Sequence, residues 1–154
     1  MQGNVDMIAR LNDLLAEELT AINQYMVHGE MCDNWGYHKL HEAIEKQAID
    51  EMHHAEWLIG RIIFLEGSPT VSRLNEVHIG RSVEQIVTND RNAEAAAVDM
   101  YNSAIALARE VNDDGTRDLL TKILADEEKH LDWGDAQHDQ ISQMGIANYL
   151  ANQV

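Results

Sequence analysis

Apolar side chains recur along the chain in steps of three and four, within four long stretches that few breaks interrupt. The first stripe reads Leu11, Leu15, Glu18, Ile22, Tyr25 and the second Ile44, Ala48, Glu51, Ala55, Leu58, Ile62. The third reads Val87, Glu94, Val98, Tyr101, Ile105, Ala108 and the fourth Leu120, Leu124, Glu127, Leu131. Such steps put one face of a helix into a core. The breaks predict helices over about Asn4–Cys32 (Asn4 or Asp6 as cap), Tyr37–Glu66, Ser82–Asn112 and Thr116–Gln143, then a short segment Ile146–Asn152. Gly67-Ser68-Pro69 stops the second helix, and residues 68–81 read as an extended connection. Helices of about 28 residues are roughly 42 Å long. Short breaks after the first and third helices make antiparallel pairs, and the long connection crosses the bundle. The expectation is one all-α domain over 1–154, a four-helix bundle with one long crossover and a short C-terminal fifth helix.

Each stripe carries a glutamate where an apolar residue belongs. Glu51 and Glu127 are each followed three residues later by a histidine, His54 and His130. From Glu18 the separation is 33 to Glu51 and 36 to His54, and from Glu94 it is 33 to Glu127 and 36 to His130. The halves are therefore offset by 76, an offset shared by Tyr25 with Tyr101 and by Asp50 with Asp126. A single Glu-x-x-His arises by chance in Glu-rich helices, but six residues at duplicated spacing are far more specific.

Four buried carboxylates are costly without a counter-charge, and no basic residue lies on these stripes. Two divalent ions would balance them. Glu and His three apart share a helix face about 5–6 Å apart, so both reach one ion. Mixed carboxylate and imidazole donors suit iron or manganese. One histidine serves each ion, and Glu18 and Glu94 either cap or bridge. Asp50 is expected to accept from His130 and Asp126 from His54, orienting the ligand rings. Tyr25 is expected to bond a metal-bound glutamate. His28, His38, His41, His53, His78 and His138 lie off the pattern and read as surface or interface residues.

Composition narrows the setting. Lys plus Arg number 11 against 27 Asp plus Glu, a net charge of −16. That excess argues against nucleic acid and against anionic membranes as partners. One cysteine, Cys32, excludes an intrachain disulfide framework. No stretch is long and apolar enough for a signal peptide or a span, so a cytoplasmic setting is expected.

The stretches LNDLLAEELTAINQY, DNWGYHKL, DEMHHAEWLIGRIIFLEG, ADEEKHLDW and GIANYL resemble the bacterioferritins, the haem-containing ferritins, over nearly the whole chain. The resemblance implies a di-iron ferroxidase centre at Glu18, Glu51, His54, Glu94, Glu127 and His130, which are catalytic residues and metal ligands together. It implies oxidation of Fe2+ by dioxygen or peroxide and storage of ferric mineral in a hollow homo-oligomer of 24 subunits, built from two-fold dimers. It also implies haem b between two-fold-related subunits, ligated by Met52 from each, with Leu19, Ile22, Asn23 and Met26 along its pocket. The haem would serve as an electron path for iron release driven by an outside reductant such as a ferredoxin. Met52 by itself is only an ordinary interface methionine one residue off the seam.

Three positions depart from the family's habit. Gly134 stands where a large apolar residue is usual, costing about 1 kcal/mol of helix propensity and leaving a void or a wider solvent path. Tyr101 stands where an aliphatic residue is common and makes the centre more symmetric. Lys46 beside Asp50 speaks against the inner-surface iron site of some members. Other readings are a haem-free ferritin-like ferroxidase, a di-iron oxidase acting on an organic substrate, and a haem-binding or structural bundle without redox chemistry.

Overall fold

A computed structural model describes all residues from Met1 to Val154. The helices are α1 (Val5–Asn34), α2 (His38–Phe64), α3 (Val83–Glu110), α4 (Asp114–Met144) and α5 (Ile146–Ala151). Side chains start three of them. Asn4 accepts from the Met7 amide, Ser82 from Gln85 and Asp113 from Thr116. α1 pairs with α2 and α3 with α4, and the pairs pack into an all-helical four-helix bundle. No helix is long and apolar enough to cross a membrane.

The turns inside the two pairs are the same turn. After α1, Gly36 adopts φ 86°, its amide bonds Asp33 O and the Tyr37 amide bonds Cys32 O, both at 2.9 Å. After α3, Asn112 adopts φ 58°, its amide bonds Arg109 O at 3.2 Å and the Asp113 amide bonds Ala108 O at 2.8 Å. This is the left-handed Schellman ending, with glycine in one half and asparagine in the other, the two residues that enter this region most cheaply. Every position in it is offset by the same 76 residues as the glutamates. The α2 ending corrects the sequence expectation. α2 stops at Phe64, and Glu66 rather than Gly67 takes the left-handed position, φ 62°.

The crossover runs along α1, held by side chains one or two turns apart. The amides of Thr70, Asn75, His78 and Gly80 donate to Asn12 Oδ1, Thr20 Oγ1, Gln24 Oε1 and His28 Nε2, at 2.8, 2.8, 3.0 and 2.9 Å. An extended segment without a strand partner must find acceptors elsewhere, and α1 supplies them. His28 is therefore buried and structural, not a surface residue: its Nδ1 lies 2.7 Å from the buried Asp90. Because Nε2 accepts from Gly80, Nδ1 carries the proton and donates. His38, His53, His78 and His138 are exposed, and His41 is half-buried.

Two stripes are rotated slightly from expectation. Ala97, Ala104 and Ile123 are buried, whereas Val98, Ile105 and Leu124 are half-buried. Small alanines let α3 approach its neighbours closely. The apolar core divides into two clusters, one of 14 residues containing Leu11, Leu58 and Tyr101, and one of 9 containing Tyr25, Ile44 and Tyr149. The polar layer at Glu18, Glu51, Glu94 and Glu127 belongs to neither cluster.

Candidate metal centre

Each of the four long helices delivers one glutamate to that layer, and α2 and α4 add a histidine one turn on. Glu18, Glu51, Glu94 and Glu127 are at most 2% exposed, and His54 and His130 are buried with them. They form two overlapping sets. Glu18, Glu51, His54 and Glu127 make one, and Glu51, Glu94, Glu127 and His130 the other, each with donor atoms within 4.8 Å of one another. Glu51 and Glu127 are common to both. Glu18 and Glu94 belong to one set each.

Both rings face the same way. His54 Nε2 lies 3.0 Å from Asp126 Oδ2 and His130 Nε2 lies 3.0 Å from Asp50 Oδ2. A carboxylate only accepts, so Nε2 donates in each pair and Nδ1 turns inward. His54 Nδ1 lies 2.8 Å from Glu127 Oε1, 3.2 Å from Glu51 Oε2 and 3.6 Å from Glu18 Oε2. His130 Nδ1 lies 2.8 Å from Glu51 Oε1 and 3.4 Å from Glu94 Oε1. Tyr25 donates to Glu94 Oε1 at 2.5 Å, and Tyr101 donates to Glu18 Oε1. Lys46 Nζ reaches Asp50 Oδ2 at 3.1 Å.

The electrostatics show what this arrangement wants. Burial, then the neighbouring Glu51 charge, pushes Glu18 well above the usual carboxylate range; burial, then Glu18 and Glu94, does the same to Glu127. Burial opposes the imidazolium of His130, but Glu51 and Glu94 outweigh it and raise the ring to about 10. His54 is raised likewise, its burial overcome by Glu127, Glu18 and Glu51. Burial and nearby carboxylates raise both tyrosines and keep them protonated donors. Protons therefore gather where the carboxylates need positive charge. Even so, Glu18 Oε2, Glu51 Oε1, Glu94 Oε2, Glu127 Oε1 and His130 Nδ1 are buried without any hydrogen-bond partner. His130 Nδ1 is close to Glu51 but not aligned to donate to it. Five such atoms in one polar layer are abnormal for a folded interior. They are also the donor set that two divalent cations require, so the residues present fit a dinuclear metal.

A family model for the ferritin-like domain matches residues 8–144. A bacterioferritin of Mycolicibacterium paratuberculosis is 40% identical over 151 residues, covering 98% of this chain and 95% of the relative. The chain belongs to the bacterioferritins. The bacterioferritins of Streptomyces coelicolor, 40% identical over 98% of this chain and 90% of its own, and of Brucella melitensis, 36% identical over 97% and 92%, agree.

Within this bacterioferritin, more repeats than the glutamates and histidines alone. Lys46 and Lys122, and Trp57 and Trp133, keep the same offset, so each half carries Lys-x3-Asp-Glu-x2-His-x2-Trp. The lysines do different things: Lys46 pairs with Asp50, whereas Lys122 Nζ lies 3.7 Å over the Trp57 ring. Sequence reasoning missed this longer repeat, although the signal is in the chain. Gly134 also differs from expectation. A Cβ there would meet Arg91 Cβ at 3.1 Å, so the missing side chain admits Arg91 of α3 and does not leave a large void. What remains is a cavity of about 10 Å³ lined by Gly134, His130, Glu94 and Asp90, room for about one water. Met52 is 52% exposed on the outer side of α2, and Met26 is 53% exposed on α1. Leu19 and Ile22 are half-buried and Asn23 is exposed.

Proposed function

We propose that this chain is a ferroxidase and iron-storage subunit. The observation that carries it is the pair of overlapping donor sets sharing Glu51 and Glu127, with five unpartnered buried atoms among their residues. Two Fe2+ are the substrate. Glu18 and His54 hold one and Glu94 and His130 the other, with Glu51 and Glu127 between them. Each Fe2+ gives up one electron. Dioxygen takes the two electrons and two protons to become peroxide, or peroxide takes two electrons and two protons to become two waters. Holding both irons together avoids one-electron oxygen products. Asp50 and Asp126 hold the imidazole Nε2 protons and keep each Nδ1 lone pair free for iron. The ferric product passes to mineral inside a shell of 24 chains assembled from two-fold dimers in the cytoplasm, and the −16 charge attracts the cation.

The narrow cavity beside His130 favours a small oxidant over an organic substrate. The half-exposed Met52 thioether, with exposed apolar neighbours such as Ile49, supports haem held by Met52 from each of two chains. When bound, the haem would supply a path for electrons from an outside donor of the ferredoxin type, for reductive release of the iron. The test is an anaerobic Fe2+ titration with and without His54→Ala. The reading expects about two irons per wild-type chain and loss of fast oxidation in the variant at unchanged helicity. Wild-type oxidation by His54→Ala would overturn it.

A further inference from the structure

Tyr101 and Tyr25 are each 1% exposed and lie on opposite sides of the metal layer. Tyr101 belongs to the apolar cluster with Leu11 and Leu58, and Tyr25 to the one with Ile44 and Tyr149. Each cluster thus sends a hydroxyl towards the centre. The hydrogen bonds are reciprocal between the halves. Tyr101 of α3 donates to Glu18 Oε1 of α1, and Tyr25 of α1 donates to Glu94 Oε1 of α3. In both carboxylates the other oxygen, Oε2, is buried and has no partner. One oxygen is held by a phenol and the other is left for a cation.

We infer that Tyr101 is a positioning residue for the metal position formed by Glu18 and His54, as Tyr25 is for the one formed by Glu94 and His130. Each tyrosine sets the affinity of one position. The inference rests on the di-iron reading above and adds to it the residue that governs each site.

The physical reason is the freedom of a terminal carboxylate. Glu51 and Glu127 are shared by both donor sets, so two cations would restrain them. Glu18 and Glu94 belong to one set each and can rotate in place of binding. A hydrogen bond from a phenol to one carboxylate oxygen fixes the rotation of the group and the direction of the other oxygen. Phenylalanine keeps the ring in its cluster and removes only that bond. Glu18 would then be free to turn Oε2 away from the position and compete less well for a cation.

The experiment uses crystals of the assembled full-length protein equilibrated with limiting Zn2+, a redox-inert probe. Anomalous scattering reads the ratio of occupancies at the two positions. Tyr101→Phe should shift the ratio by about tenfold towards Glu94 and His130, the scale of one hydrogen bond to a charged group. Tyr25→Phe should shift it by a similar factor the other way, and the double variant should return to the wild-type ratio. A general loss of packing would not produce this crossed pattern. Should Tyr101→Phe fail to fold, Tyr25→Phe alone decides, through a shift towards Glu18 and His54. A wild-type ratio in either single variant, or shifts in the same direction, overturns the inference. Zinc absent from both positions in the wild type overturns the di-iron reading instead.

Discussion

His54 donates its Nε2 proton to Asp126, 72 residues further on, and so turns Nδ1 towards three glutamates. The ring is held from outside the centre while its lone pair is kept for the inside. Asp126 is one-third exposed, so it can be replaced with little harm to the core. Asp126→Ala is expected to lower divalent-metal affinity by about 10- to 100-fold. Anaerobic calorimetry with Zn2+ would measure this; unchanged affinity would show that packing alone orients His54.

The metal-free centre should lose stability as pH rises. His130 is raised from 6.5 to about 10, so its contribution is complete below pH 6.5 and disappears as pH climbs through about 10. Glu18 and Glu127 are also raised, and their contribution is lost on passing their raised values. Burial alone would raise Glu51, but its neighbours Glu18, His130 and His54 outweigh burial and hold it below its usual 4.5, so its contribution is constant in this range. The thermal midpoint of metal-free protein should therefore fall from pH 6.5 towards about 9. Zn2+ displaces these protons and should raise the midpoint and flatten the slope. Scanning calorimetry with and without Zn2+ checks both signs.

Met52 and Glu51 are neighbours in sequence that face opposite ways, the first half-exposed and the second buried. Met52→Ala should abolish haem binding and slow reductive iron release, yet leave Fe2+ oxidation nearly unchanged. The haem-to-chain ratio and visible spectrum of the purified variant report the first effect, and stopped-flow oxidation the second.

Asp90 accepts from both Gln24 and His28, and all three are buried. Asp90→Ala strands two donors and loosens the grip of α1 on the crossover. It should cost about 2–4 kcal/mol in denaturant unfolding. A loss below about 0.5 kcal/mol would mean that water replaces the carboxylate.

At Gly134 the fit is steric. Its missing Cβ leaves room for Arg91, whose Nε bonds Asp135 Oδ1 at 2.6 Å. Gly134→Leu should destabilise by about 1–3 kcal/mol through overpacking. A raised thermal midpoint would show that Arg91 moves aside at little cost.

Much of this was legible in the chain because it is periodic. Steps of three and four define helix faces, and a glutamate on an apolar face is visible without coordinates. Repetition of Glu18, Glu51 and His54 as Glu94, Glu127 and His130 indicates that the faces meet, since carboxylates so buried need common counter-charges. Helix endings were less legible. Backbone closure placed the left-handed residue at Glu66, although Gly67 was the better candidate by type.

What the sequence by itself determined was the set of helices, the crossover and the six residues of the centre, because local spacing encodes which side chains share a face. Tertiary structure alone decided how those residues divide their work. Only the packing of the α1–α2 pair on the α3–α4 pair makes Glu51 and Glu127 common to both donor sets and leaves Glu18 and Glu94 in one set each. It also made His28 a buried prop for the crossover and turned Gly134 into a seat for Arg91. Such roles depend on distances between residues more than 30 positions apart, which no local pattern records.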